Sequence, residues 1–561
     1  MNSRFCCGLA FSSWVLLVLI RTWAPNDLMT RDQERVVSYV QDITQNGHWL
    51  VQQDLWGNVA SKPPLYNWLS ALAVLSVDDL NRFSAAFPSW AASGLCVLML
   101  LIWGKRIFGA NAAFWAVPFY LFSQMGLRQV LLLRSDPLFQ CLTFAAALAA
   151  LTAWQKGKGW TWMYFFAALA TLSKSPLGLI LAMAGLLAHL WERRSGFASR
   201  IRGSHLPGIL LFLALPLLWL LLARLSLGEA VTEKLIQEEL IGHMVGKASD
   251  SKVPFGRFYK PSLWFLSRYA PLGLFTVLAL IRVFRHPRED EGQRKAERFF
   301  CCMFLVGLFL FSAAAHNRFV HLLPLVPPAS LLAGAEVARR LSSWKPKAQE
   351  SLAVAWCMAG ILFAFFYLNY SDSKSVRIVP SEQCYRFALE LEQQVGPQFP
   401  WQYIDAPAAL QSHLQQFGEA QTAREALVDA HPAWPEFWAV QDIAAFMEQG
   451  AELPLHILAQ APEQDPFLYI VSTHPHLEVP PQWQWELQGL RIRARNLKVI
   501  RRQANRWTLE IQDADWSLEI LKTDREQLRP PRFPKEVILI AEDETLRLQS
   551  EEDQGRFWAE D

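Results

Sequence analysis

The sequence predicts an α-helical polytopic membrane protein of about eleven spans with a C-terminal soluble α+β domain. Two observations predict it. Of 561 residues, 52% are apolar and 19% charged, where soluble domains carry about a quarter charged residues. The shortfall is confined to the chain up to Tyr370. There, apolar runs of roughly 15–22 residues recur, long enough to cross a hydrocarbon core of about 30 Å. After Tyr370 the runs stop and charge returns. This divides the chain into a membrane domain, 1–370, and a soluble domain, 371–561.

The expected spans are 5–23, 84–103, 111–127, 137–154, 160–173, 176–191, 206–224, 262–281, 299–315, 319–337 and 351–370. The fifth and sixth are short and meet at Ser173-Lys174-Ser175-Pro176, which reads as a broken or re-entrant pair. The first span also has features of a signal peptide, with Arg4 before it and Ala24 after it. A chain with many further spans needs no separate export signal.

Net charge is +2, uninformative as a total. Its placement decides orientation. Lys105/Arg106, Lys156/Lys158, Arg193/Arg194, the arginines from Arg282 to Arg298, and Arg339/Arg340 fall in one set of connections. The alternate short connections hold only Arg128/Arg134, Lys174 and Arg318. The denser set is expected in the cytoplasm, with the N-terminus. The loops 24–83 and 225–261 and the tail are then outside. In the second loop, Leu235, Ile236, Leu240 and Ile241 follow helical spacing among charges, as in a helix lying on a membrane surface.

In the tail, 385–395 and 408–417 have helical periodicity. Residues 467–472 and 537–540 read as short buried strands, and 507–511 alternates. His474-Pro475-His476 lacks further ligands at a metal-site spacing and reads as a turn. Arg491, Arg493 and Arg495 share one strand face, either solvated or against anionic groups. Of eight cysteines only Cys384 is in the tail, so the tail has no internal disulfide; the others read as small apolar core residues.

Charges at membrane depth are functional candidates. Asp32 and Glu34 precede an apolar pattern at Val36, Val37, Val40 and Ile43. They supply a general base and a polar partner, or Asp32 simply caps the helix. Lys62 stands before the rigid pair Pro63-Pro64 and the interfacial aromatics Tyr66 and Trp68. It suits an anionic headgroup, or it snorkels. Arg134 and Asp136 flank a short outer turn and can pair with each other. Lys174 sits in the helix break and Arg318 in the turn before Leu322-Leu323-Pro324. All of these fall on one predicted side of the membrane.

The arrangement resembles the membrane glycosyltransferases of the protein O-mannosyltransferase type, in particular the bacterial lipid A aminoarabinose transferases. The residues that carry the resemblance, in order over most of 20–340, are Asp32 with Arg35, Gly47-His48-Trp49, Lys62-Pro63-Pro64 with Trp68-Leu69, Asp136-Pro137, Ser173-Lys174-Ser175, and Arg318-Phe319 with Leu322-Leu323-Pro324. Gln33 stands where the family has an acidic residue, and Ser61 likewise before Lys62.

The resemblance implies a GT-C fold and an inverting transfer of a sugar from a polyprenyl-monophosphate donor to a lipid A-like, other glycolipid or protein acceptor. The reaction would take place on the outer face of a bacterial inner membrane. Asp32 is then the base, with Glu34 beside it. Lys62, Arg134, Lys174 and Arg318 bind the departing phosphate. Asp136, Tyr66 and Trp68 position donor or acceptor. Several fixed cations do the work of a metal, so no divalent ion or other cofactor is obligatory, and no nucleic acid is involved. The competing class is a flippase that moves a lipid-linked sugar without chemistry. Its sites would lie near the bilayer midplane within repeated halves, and the chain shows no internal repeat.

Overall fold

A computed structural model describes residues 3–24, 31–53, 59–77, 80, 82–228, 231, 258–314 and 318–371, and the backbone of eight strands between 401 and 548. Seven helices among these are long and apolar enough to cross a membrane: Phe5–Trp23, Phe87–Phe108, Asp136–Lys156, Leu206–Leu227, Glu291–Ala313, Phe319–Arg340 and Pro346–Tyr370. The pair Lys260–Arg268 and Leu272–Arg285, bent by 114° at its break, makes an eighth if it is one span. The protein is a multi-pass membrane protein.

The three other predicted spans are helical but shorter. The stretch 111–127 divides into Ala110–Leu121 and Gln124–Gln129. Ser123 caps the second piece, its hydroxyl accepting from Gly126 N–H at 3.0 Å. The stretch 160–173 is the helix Trp160–Ser173, and 176–191 is Leu177–Gly185 followed by Ala188–Arg194. The break expected at Lys174 is present. The chain folds back there so tightly that a Cβ on Gly178 would lie 2.9 Å from the Ala170 side chain.

The helices Asp136–Lys156 and Phe319–Arg340 are the most buried and form the centre. Leu206–Leu227 and Pro346–Tyr370 lie outermost and expose Leu210, Leu217, Leu221, Phe363 and Phe366, as lipid-facing helices do. Close helix contact is made by small residues. A Cβ on Gly334 would lie 2.5 Å from Ala112 O and 2.7 Å from Ala116 N, so glycine is what lets these two backbones meet. Of the described cysteines, Cys6, Cys96, Cys141, Cys301 and Cys357 are buried, in keeping with a packing role.

At the end of the bundle holding the 286–290 connection, buried carboxylates gather arginines. Glu336 takes Arg282 Nε at 3.0 Å, Arg339 Nη2 at 2.8 Å and Arg340 Nε at 2.7 Å. Glu297 takes Arg282 Nη1 at 3.0 Å and Arg288 Nε at 2.6 Å. Glu192 takes Arg298 Nη1 at 2.8 Å and Arg294 Nε at 3.3 Å. Arg282, Arg294 and Arg298, counted above as loop charges, are buried. The helix that carries the last two begins at Glu291, eight residues before the expected span at 299.

In the tail, the described strands form two four-stranded sheets. The strands expected near 467–472, 507–511 and 537–540 appear as Phe467–Val471, Arg506–Ile511 and Ile538–Ala541. Arg491 lies in the short strand Arg491–Ile492. The helical stretches expected at 385–395 and 408–417, His474–His476, Cys384, and the surface helix expected at 235–241 lie outside the described residues.

Candidate active site

The site is built on the turn between Val130 and Asp136. Residues around the first outer loop hold this turn. Gln33, buried on the helix Arg31–Asn46, accepts from Leu133 N–H at 3.0 Å. The Tyr66 hydroxyl lies 2.8 Å from Ser89 Oγ and donates to Leu132 O at 3.2 Å. Ser89 Oγ donates to the same carbonyl. Arg134 N–H closes the turn onto Leu132 O at 2.8 Å. Three segments distant in sequence thus fix the backbone on which Arg134 and Asp136 stand.

Asp136, buried at the start of its helix, receives Arg134 Nε at 3.0 Å and the Lys174 ammonium. The pairing of Arg134 with Asp136 is therefore real, and Lys174 joins it from the helix break. A carboxylate in the first turn of a helix is also favoured by the helix dipole. Lys174 is held below the usual lysine pKa by burial first, with Arg134 and Lys62 acting in the same direction and Asp136 opposing. Lys62, half-buried, thus lies within electrostatic reach of Lys174. Two cations and one anion leave the Arg134–Asp136–Lys174 centre with a formal charge of +1, and Lys62 adds to it.

Asp32 and Glu34 fall in the first turn of the helix Arg31–Asn46, and their side chains lie outside the described residues. Their neighbour Gln33 nonetheless ties this turn to Leu133, the residue before Arg134. Trp68 clamps the loop: its indole donates to Trp49 O, as the Trp219 indole donates to Leu50 O at 3.0 Å. Tyr66 is fully buried and acts on the site through Leu132. Arg318 is exposed at the start of the 3₁₀ turn Phe319–Leu325, and its carbonyl accepts from His321 N–H at 3.0 Å.

Four groups escaped the sequence reading. His321 and Tyr269 lie within electrostatic reach of Asp136, and the Tyr269 hydroxyl donates to Phe319 O at 3.2 Å. Arg268 stands beside Tyr269, its guanidinium 5.5 Å from the Phe319 ring centre and bonded to Gln124 Oε1 at 3.3 Å. An aromatic face and an amide hold this cation in place. Its position at the end of the Lys260–Arg268 helix was the available signal. Asp42 ties the loop down by accepting from Gln53 N–H and Asn46 Nδ2 and pairing with His48 Nδ1, each at 2.8 Å. Among the described residues no group of three or more His, Cys, Asp or Glu side chains comes together as metal ligands.

Residues 61–221 match the family model described as dolichyl-phosphate-mannose-protein mannosyltransferase. The matched stretch contains Lys62, Tyr66, Trp68, Arg134, Asp136 and Lys174. No curated protein sequence matches the chain. Among solved structures, the chain is similar to ArnT from Cupriavidus metallidurans bound to undecaprenyl phosphate, with 14% identity and a TM-score of 0.56, over 77% of this chain and 89% of that one. The same protein in its apo state matches with 14% identity and a TM-score of 0.52, over 70% and 80% of the two chains. The chain therefore has the GT-C fold, and its residues 61–221 carry the match to the dolichyl-phosphate-mannose-protein mannosyltransferase family.

Proposed function

We propose that this protein is an inverting glycosyltransferase that moves a sugar from a polyprenyl-monophosphate donor to a lipid A-like or other acceptor on the outer face of a bacterial inner membrane. The observation that carries this reading is the join between Gln33 and Leu133, which sets the turn bearing Asp32 and Glu34 against the Arg134–Asp136–Lys174 centre. A carboxylate turn beside a buried, net-cationic centre is what displacement of a phosphate by a hydroxyl needs. The acceptor oxygen attacks the anomeric carbon and its proton passes to Asp32, with Glu34 as polar partner. The bond from that carbon to the phosphate oxygen breaks, and the polyprenyl phosphate leaves with the electron pair. Charge on it is met by Lys174, Arg134 and Lys62, with Arg318 as a further cation, in place before the reaction starts. Asp136 acts by holding two of them.

The ArnT structure bound to undecaprenyl phosphate and the family description naming a dolichyl-phosphate sugar support a lipid-phosphate donor. In this reading the N-terminus is cytoplasmic, and residues 371–561 form a soluble domain on the outer side. The reading is tested by Asp32→Asn and Lys62→Ala, assayed for sugar transfer in membranes supplied with polyprenyl-phosphate sugars. Both variants are expected to lose transfer. Wild-type turnover in both would remove the proposed site.

A further inference from the structure

We infer that the corner where the helix Val326–Arg340 turns into Pro346–Phe366 binds the headgroup of an anionic phospholipid, with Arg339 and Arg340 on its phosphate. The corner lies at the far end of Val326–Arg340 from the 3₁₀ turn Phe319–Leu325, and the inference does not depend on the reaction proposed above. Glu336, fully buried, is the base of the site. It takes Arg340 by Nε at 2.7 Å, and Arg339 by Nε at 3.2 Å and Nη2 at 2.8 Å. Both terminal nitrogens of Arg340 and the Nη1 of Arg339 have no hydrogen-bond partner among the described residues. Each of the two side chains is 49% exposed. The carboxylate thus holds each guanidinium by its inner edge and leaves outer N–H groups at the surface, in the planar fork that suits a phosphate.

The charges around this base do not balance. Arg282, Arg288, Arg339 and Arg340 are paired with two carboxylates, Glu297 and Glu336, so the network carries two more positive than negative charges. Orientation in a membrane asks only for basic residues at one end. Arg193 and Arg194, at the same end, meet that need while exposed and without a side-chain hydrogen bond or ion pair among the described residues. Holding two forks in place costs side-chain freedom, which favours the binding of something that uses both.

The connection beside the forks is fixed as well. Buried Gln349 donates to Leu341 O at 2.8 Å and Trp344 O at 3.0 Å and accepts from Asn111 Nδ2 at 2.9 Å. Ser342 Oγ donates to Arg339 O at 2.8 Å. Trp344 stands out of this turn, 49% exposed, next to exposed Lys345 and Lys347, which outnumber Glu350. A tryptophan among lysines suits a membrane–water interface. Beyond them the outer helix exposes Val354, Met358 and Leu362, spaced i, i+4 and i+8 on one face. Fixed cations at one end and an apolar stripe leading away from them match a phospholipid's headgroup and acyl chain. A zwitterionic headgroup brings its own cation, which the surplus repels; an anionic one does not. In the orientation proposed above, this lipid belongs to the cytoplasmic leaflet.

The test titrates the full chain in detergent with phosphatidylglycerol, phosphatidylcholine and inorganic phosphate, reading binding by native mass spectrometry and Tm by thermal unfolding. Phosphatidylglycerol is expected to bind and to raise the Tm above the value in phosphatidylcholine. Arg340→Gln should weaken that binding about fivefold, and Arg339→Gln with Arg340→Gln at least about tenfold. Arg194→Gln, which removes a basic residue of the same end but not of the corner, should stay within about twofold of wild type. If the double variant does not fold, Arg340→Gln decides alone, since Glu336 then keeps Arg282 and Arg339. Equal losses in Arg194→Gln and Arg340→Gln would reduce the corner to diffuse attraction and overturn the site. So would equal binding of the two phospholipids, or the same rise in Tm with inorganic phosphate at matched concentration.

Discussion

Gln33 and Leu133 stand 100 positions apart in sequence and are joined by one hydrogen bond, Leu133 N–H to Gln33 Oε1, at 3.0 Å. Through it the start of the first loop helix and the turn bearing Arg134 become one unit. Gln33→Leu removes the acceptor and leaves a buried amide unpaired, at a cost of about 1–3 kcal/mol. The variant is expected to lower the Tm of the purified protein and to reduce kcat about tenfold or more, with a smaller change in KM. A variant with normal kcat would show that the join does not position the site.

Asp136 holds two cations in a buried setting, so Asp136→Asn leaves both without their counter-charge. Transfer is expected to fall at least a hundredfold, more than for Lys174→Arg, which keeps a cation at the break. Measured kcat/KM for the two variants checks the order. The reverse order would mean that the ammonium matters for its shape and not for its charge.

Burial lowers the Lys174 pKa, so its charge is lost at a lower pH than that of a free lysine. The charge is present below that lowered pKa and absent above it. If the charge serves the leaving phosphate, activity falls on the alkaline side before the usual lysine range. Arginine stays protonated throughout, so Lys174→Arg is expected to move the alkaline limb upward. A pH–rate profile unchanged between the two would assign that limb to another group.

Far from this site, Glu192 is buried between Arg294 and Arg298. Removing one side of a buried ion pair costs about 3–5 kcal/mol because it strands the other charge. Glu192→Gln is expected to lower the Tm clearly while KM for the donor stays near wild type. Thermal unfolding in detergent, read beside donor kinetics, separates the two effects.

The spans were legible because apolar runs long enough for a bilayer are rare otherwise, and the break at Lys174 because Ser-Lys-Ser-Pro cannot continue a helix comfortably. The strands around 467–471, 506–511 and 538–541 were legible from short apolar or alternating runs. The interruption at Phe122 and Ser123 was hidden inside one continuous apolar run. The buried carboxylates were illegible for a different reason. Glu192 meets Arg298 across 106 positions, and nothing local distinguishes it from a solvated loop charge. The same holds for Tyr269 and His321, whose closeness to Asp136 exists only in the fold. Gln33, a departure from the acidic residue of the family pattern, is occupied in holding the turn.

The single carboxylate shared by Arg134 and Lys174 leaves their centre with a formal charge of +1, and Lys62 stands within electrostatic reach of it. In the proposed reaction the donor is a phosphodiester with one negative charge, whereas the departing polyprenyl phosphate is a monoester that approaches two near neutral pH, its second pKa being about 6 by analogy with phosphorylated side chains. The spent carrier is therefore matched to the site better than the loaded one. Turnover should then be limited by release of the carrier, and added undecaprenyl phosphate should inhibit competitively against the donor. Partial neutralisation at Lys62 should relieve that inhibition even as it slows the bond-breaking step.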